Sequence, residues 1–323
     1  MATRKTAKRA KSTSKAGAKK TGARKKGAKR AGAKAASTRA PKLKVYKAMA
    51  SANAAKKKGA ARPFTITVRF RGGLTTTQQN AFKKAADRWA KVIVGDLPSV
   101  TIGGELIDDV LIEAEGVNID GVGKILGQAG PTHLRPKSAG AAAFIPAKGI
   151  MSFDSADLGS MQADGTLNDV ITHEMGHVLG IGTIWTNKGF LKGAGTSNPT
   201  FTGPGAMAEF GKLKGKGAGS TPVPVENTGG AGTADSHWRE TVFQRELMTG
   251  FVGDKPNPMS RMTVASLADL GYVVDLKKAE PYKLPNLPSI AESGSLTSHV
   301  APLDHGVVLP IIPTVLPDAS LNQ

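Results

Sequence analysis

His173-Glu174-Met175-Gly176-His177 constrains the local fold more tightly than any other stretch of this chain. Two histidines four apart reach one metal ion only if the segment is helical, because at 3.6 residues per turn such positions point to nearly the same side. Glu174 then stands about 100° further round, able to touch a metal-bound water without ligating the metal. The flanks agree with a helix. Leu167, Val170, Ile171, Met175, Val178 and Leu179 recur at helical spacing and share one face, with the histidines on another. Asp164 and Thr166 offer N-cap chemistry, and Gly180 and Gly182 a C-terminal stop. On such a helix the motif is that of a zinc-dependent peptide hydrolase. The plainer alternative is an exposed helix with two incidental histidines.

Charge divides the 323 residues into two regimes. Residues 1–62 hold 22 Lys and Arg and no Asp or Glu, and the first acidic residue is Asp87. The rest carries 22 basic and 25 acidic side chains, so the net charge of +19 belongs to the N-terminal segment. That segment, mostly Ala, Lys, Arg, Gly, Ser and Thr, has almost nothing to bury and repels itself, which predicts a disordered basic arm. Its composition resembles that of linker-histone and bacterial histone-like tails. The expected partner is nucleic acid or another polyanion, bound through phosphate contacts without sequence preference. An anionic membrane surface is the competing partner. The chain has no cysteine, which excludes disulfides, thiolate metal sites and a cysteine nucleophile. No apolar run approaches a transmembrane length, and no standard secretory signal follows the basic start. The localisation stays open and is compatible with cytoplasm.

From Pro63 onward the pattern is that of a globule. Phe64, Ile66, Val68 and Phe70 alternate with polar residues as a half-buried strand. Thr75 to Thr77 cap a helix carrying Phe82, Ala85, Ala86, Trp89, Val92 and Ile93, which Gly95 and Pro98 end. Strands are expected at about Val110–Val117 and Gly149–Phe153, with His133 in a turn between them. Residues 186–234, with 12 glycines, form a long loop of functional character or a linker. Thr263 caps a last helix, Val264 to Leu270. These elements predict an α+β fold with a twisted sheet and an active-site helix over residues 63–283. A proline-rich C-terminal extension, 284–323, comes after it as a tail or a surface-wrapping segment.

Catalytic zinc takes three protein ligands and keeps a position for water. The compact metzincin pattern places a third histidine at position 183, where this chain has Thr183, leaving His133, His237, His299 and His305. The helix motif with Gly180, then a long insertion, Ser236-His237-Trp238, and Glu246-Leu247-Met248 together resemble the leishmanolysin family of zinc endopeptidases. The resemblance covers about residues 63–275. It implies a metzincin-like protease fold, zinc ligands His173, His177 and His237, and Glu174 as general base. It also implies Gly180 as the pivot that reverses the chain and Met248 as the floor beneath the metal. The expected activity is peptide-bond hydrolysis of protein or peptide substrates by a zinc-bound water. The alternative is a nucleic-acid-associated protein whose protease-like domain is a passive scaffold or acts only on nucleic-acid-bound proteins. Eukaryotic members of that family are secreted or membrane-anchored, rich in disulfides, and held latent by a propeptide cysteine. This chain has no such cysteine, so any block of its cleft has another origin. Asp169 is a candidate to orient an imidazole, and Asp120, Asp154 and Asp157 are candidates for calcium.

Overall fold

The computed structural model describes residues 42–123, 125–215, 221–250, 256–285 and 307–322. The chain runs β1 (Lys44–Met49), α1 (Ala52–Lys57), β2 (Thr65–Gly72), α2 (Thr76–Val92), β3 (Val100–Ile102), β4 (Glu105–Ile107), β5 (Val110–Val117), β6 (Ile125–Leu134) and β7 (Pro146–Asp154). It continues through α3 (Ser155–Asp164), α4 (Leu167–Val178), β8 (Leu191–Lys192), β9 (Thr200–Phe201), α5 (Pro204–Leu213), β10 (Val223–Pro224), α6 (Glu240–Phe243) and α7 (Arg261–Asp269). β11 (Val307–Leu309) and β12 (Thr314–Val315) come last. This is a mixed α+β architecture.

Among the described residues the main sheet has the order β1-β2-β5-β7-β6-β11, with β12 also on β6. β2, β5 and β7 are parallel, β1 runs antiparallel to β2 and β6 antiparallel to β7, and β11 and β12 run parallel to β6. β2 and β5 read as strands because most of their apolar residues are β-branched or aromatic; Ile66, Val68 and Ile112 are fully buried. α2 starts at a capping box: Thr75 Oγ1 accepts from Gln78 N–H at 3.3 Å, and Gln78 Oε1 accepts from Thr75 N–H at 2.8 Å. Its buried face, Phe82, Ala85, Ala86 and Trp89, lies between the sheet and α4. Phe82 meets Phe70 and Phe153 edge-on at centroid distances of 6.2 Å, joining helix to sheet. Trp89 Nε1 donates to Thr172 O at 2.9 Å, which ties α2 to α4 through a buried bond.

Four expectations need correction. Residues 42–62 were expected in the disordered arm, but β1 and α1 belong to the fold. β1 is an edge strand, held by its backbone ladder to β2 and by Tyr46, whose hydroxyl donates to Asp87 at 2.8 Å. Its side chains are mostly exposed, so it lacks the alternation that marks a half-buried strand, and its lysines suit an unpaired edge. His133 lies in β6, not in a turn; the run of Gly, Ala and Pro there hides a strand covered on both edges. α7 is capped by Ser260, whose hydroxyl accepts from Thr263 N–H at 3.2 Å, so Thr263 sits inside the helix. The glycine-rich 186–234 region is built rather than a linker: within its described part α5 and the small sheet β10-β9-β8 take shape. The remainder of the arm, residues 1–41, lies outside the described residues, as does much of the C-terminal extension. The extension's described part lies on the sheet, with Leu316 buried against Val100, Ile107, Leu111 and Ala147.

Candidate metal centre

α4 is buried along almost its whole length, from Leu167 and Val170 to Val178, and this rules out the exposed-helix alternative. Thr166 is its N-cap residue by position, but its side chain makes no cap bond; Asp164 Oδ1 instead accepts from the Thr166 N–H at 2.9 Å. Beyond the helix the chain turns at Gly180 (φ 109°) and Gly182 (φ 75°). Gly182 has a second reason to be glycine: a Cβ there would stand 2.0 Å from Ser236 O. The backbone after α4 therefore touches the backbone that delivers His237.

His237 is presented by a short cross-braced segment. Trp238 N–H donates to Met248 O and Glu226 N–H to His237 O, both at 2.9 Å. The Trp238 ring stacks on Trp185 at 4.7 Å, and its Nε1 donates to Thr263 Oγ1 at 2.8 Å. These contacts position a residue sixty places away in sequence against α4. The three Nε2 atoms of His173, His177 and His237 converge, at 3.0 Å (173–177), 3.1 Å (173–237) and 2.9 Å (177–237).

The opposite ring nitrogens explain what this convergence means. His173 Nδ1 lies 2.7 Å from Leu247 O, His177 Nδ1 2.8 Å from Ile181 O, and His237 Nδ1 2.9 Å from Thr233 O. A carbonyl only accepts, so each Nδ1 carries the proton and each Nε2 is a lone pair. Three lone pairs facing one another in a buried site repel unless a cation lies among them, and these separations suit nitrogens about 2.0–2.1 Å from a common zinc. Burial disfavours the imidazolium forms. It brings His173 down to about 4 and His237 to about 3, and His177, which also faces the other two rings, falls well below its usual value. All three are neutral near pH 7, the state a metal requires.

Glu174, nearly buried, has its carboxyl pushed up to about 8 by burial. Met248 is fully buried beneath the helix, and an ideal Cβ on Gly176 would stand 2.7 Å from its Sδ and 2.9 Å from its Cε. The glycine in the motif is what lets the methionine approach. The turn carrying Met248 is held by Glu246, whose carboxylate accepts from Met248 N–H at 2.7 Å and from Ser260 N–H at 2.9 Å. This buried carboxylate and the three carbonyls that orient the imidazoles were not legible in sequence. A glutamate two residues before a candidate methionine floor was visible, but not its fold-back.

The other candidates go elsewhere. His133 is outside the cluster, and its Nδ1 lies 3.0 Å from Thr132 Oγ1. His299 and His305 lie outside the described residues. Asp169 pairs with Arg88 at 3.4 Å. Asp154 accepts backbone N–H groups of Ile119, Asp120, Gly121 and Ala156, and Asp157 that of Gly123, so these carboxylates organise a loop. Thr183, in the position of the compact third ligand, donates to His177 O at 2.7 Å.

A family model described as leishmanolysin, a peptidase family, matches residues 142–289, a span containing the three histidines, Glu174 and Met248. Residues 142–289 are leishmanolysin-like. A leishmanolysin homolog of Crithidia fasciculata is 30% identical over 134 residues, 39% of this chain and 20% of that protein. Leishmanolysin of Leishmania chagasi is 32% identical over 148 residues, 42% of this chain and 23% of that protein. Leishmanolysin of Leishmania major is 31% identical over 143 residues, again 42% and 23%. The chain thus spans roughly a quarter or less of these leishmanolysins' length, and the matched part holds the histidine centre. Among the described residues no helix is long and apolar enough to cross a membrane.

Proposed function

We propose that this chain is a zinc-dependent endopeptidase with His173, His177 and His237 as metal ligands and Glu174 as general base. One observation carries the reading: three buried, neutral imidazoles direct unprotonated Nε2 atoms at a common point, each fixed from behind by a carbonyl. A passive scaffold has no use for that arrangement, which leaves three lone pairs uncompensated.

Bound zinc would supply Lewis acidity, polarising a scissile carbonyl and lowering the pKa of water to about 7. The protein supplies the rest. Leu247, Ile181 and Thr233 hold the imidazoles in one tautomer, so the ligand set needs no reorganisation to bind metal. Glu174 takes the proton of the attacking water and passes it to the leaving amide nitrogen. Burial makes it a stronger base than an exposed carboxylate, and a neighbouring dication favours its ionised form. Met248 and Gly176 form a rigid base under the helix that keeps the two helical ligands in place.

The test uses zinc-loaded full-length protein and an unstructured peptide substrate. Glu174→Gln should keep its zinc and lose at least ~100-fold in kcat, as expected for removal of a general base. Peptide cleavage at the wild-type rate would remove Glu174 from this role. His237→Ala should lose stoichiometric zinc, and full occupancy would remove His237 from the ligand set. We also assign polyanion binding to the basic arm, now limited to residues 1–41, on its charge density alone: 15 Lys and Arg with no acidic residue.

A further inference from the structure

β6 has two edges, and the strand packs on the helix that carries the histidine motif. It pairs with β7, and both strands contact α4, where a Cβ on Gly149 would stand 2.5 Å from Val178 Cγ1 and 2.8 Å from Gly130 O. Its second edge is taken by the chain's own C-terminal segment, running parallel to it. Val307, Val308 and Leu309 pair with Ile125, Gly127 and Gln128, and Thr314 and Val315 with His133 and Leu134. β11 also lies beside the Gly230–Gly232 turn, which leads into Thr233, the residue whose carbonyl fixes His237. The segment thus runs between the strand packed on α4 and the loop that delivers the third histidine.

A sheet edge beside a hydrolytic centre is a ready template for an extended peptide, because unpaired main-chain groups there bind any sequence. We propose that residues 307–315 are a built-in occupant of this β6 edge, displaced when a substrate peptide binds. The inference rests on the peptidase reading above and adds to it how the cleft is gated. The pairing has the character of a replaceable contact. It covers three residues with a register shift between Val307 and Val308, then two more after Pro310–Pro313. Pro310 and Pro313 have no N–H to donate, and Ile312 is 95% exposed. A parallel pair is also slightly weaker per residue than an antiparallel one, which favours an incoming antiparallel strand.

The chain just beyond Val315 is anchored. Leu316 is buried against Val100, Ile107, Leu111 and Ala147, and its N–H donates to Leu134 O at 2.9 Å. The occupant therefore remains tethered when it leaves, and competes at the high effective concentration of an intramolecular ligand.

The experiment compares zinc-loaded full-length wild type with Val308→Asp, which places a charge on a side chain packed against the core. A second variant with residues 307–309 replaced by three glycines guards against misfolding, and Val308→Ile is the conservative control. Val308→Asp and the glycine variant should lower KM for an unstructured peptide about tenfold with little change in kcat, while Val308→Ile matches wild type. In the Glu174→Gln background, a fluorescent peptide of residues 305–315 should bind the Val308→Asp chain about tenfold more tightly than its parent. Unchanged KM and unchanged peptide binding in both opened variants would overturn the inference while leaving a cleaving enzyme intact. Preferential peptide binding without cleavage by any chain would overturn the peptidase reading and leave the docking edge standing.

Discussion

Gly176→Ala tests the packing beneath the metal centre, because two opposing effects can be weighed there. In a helix interior Ala is favoured over Gly by ~0.8–1 kcal/mol, so propensity alone predicts a more stable protein. The added methyl, however, would lie 2.7 Å from Met248 Sδ, 2.9 Å from Met248 Cε and 2.9 Å from Trp89 Cζ2. The methionine tip is flexible, but the indole is not: Trp89 is fully buried and its Nε1 is bonded to Thr172 O at 2.9 Å. Overpacking of this kind costs ~1–3 kcal/mol, so the balance falls at a net loss of about 1 kcal/mol. The strain should also reach the metal, since Leu247, next to Met248, orients His173. Urea unfolding of the full-length variant, with and without zinc, should show a lower midpoint at unchanged slope and a smaller stabilisation by zinc. A double-mutant cycle isolates the contact. Met248→Ala alone costs ~2–5 kcal/mol as a cavity mutation. In the Gly176→Ala background it should cost at least ~1 kcal/mol less, because the truncation removes the clash. A Gly176→Ala protein more stable than wild type, with no coupling to Met248, would refute the close-packed methionine floor.

Three other perturbations have defined outcomes. Arg135, fully buried, donates to the carbonyls of Pro98, Pro146, Asp108 and Asp109, so Arg135→Met should destabilise by ~3 kcal/mol in urea unfolding, and a loss below ~0.5 kcal/mol would show the clamp to be dispensable. Glu240 is raised from 4.5 to about 8, chiefly by burial, so its contribution is fully present below pH 4.5 and is lost as pH rises through about 8, at roughly 1.4 kcal/mol per pH unit. Glu240→Gln should accordingly flatten the fall in Tm between about pH 5 and pH 8.5, and an unaltered slope would count against the buried acid. Deleting residues 1–41 should abolish salt-sensitive binding to DNA or heparin without changing thermal stability, and equal retention of both chains on a heparin column would refute the polyanion assignment.

The histidine-bearing helix α4 was legible because its evidence is local. A period of 3.6 sets the apolar face of α4, and the spacing of His173 and His177 follows from the same geometry. α2 and β5 were legible for the same reason, with Thr75 at the cap and Val110–Val117 matching the strand. β1 was not, since its stability comes from a ladder to β2 and its exposed lysines read as part of a charged arm. β6 was hidden by Gly127, Gly130 and Pro131: a Cβ on Gly127 would stand 2.0 Å from Ser152 O, and the register to β7 shifts after Pro131, neither of which is visible in sequence.

The chain alone determined the two-histidine helix, the absence of any thiol, the segregation of charge, and, through a resemblance, the grouping of His237 and Met248 with the motif. Tertiary structure decided what no linear spacing encodes. It brought His237 against α4 through the touching backbones of Gly182 and Ser236, and aimed three Nε2 atoms inward through carbonyls that have no side-chain identity. It also folded Glu246 back under Met248 and laid the C-terminal segment along β6. The reason is physical: helix periodicity is a property of neighbours in sequence, whereas the tautomer of a buried imidazole and the occupant of a sheet edge depend on backbone groups supplied from elsewhere in the chain.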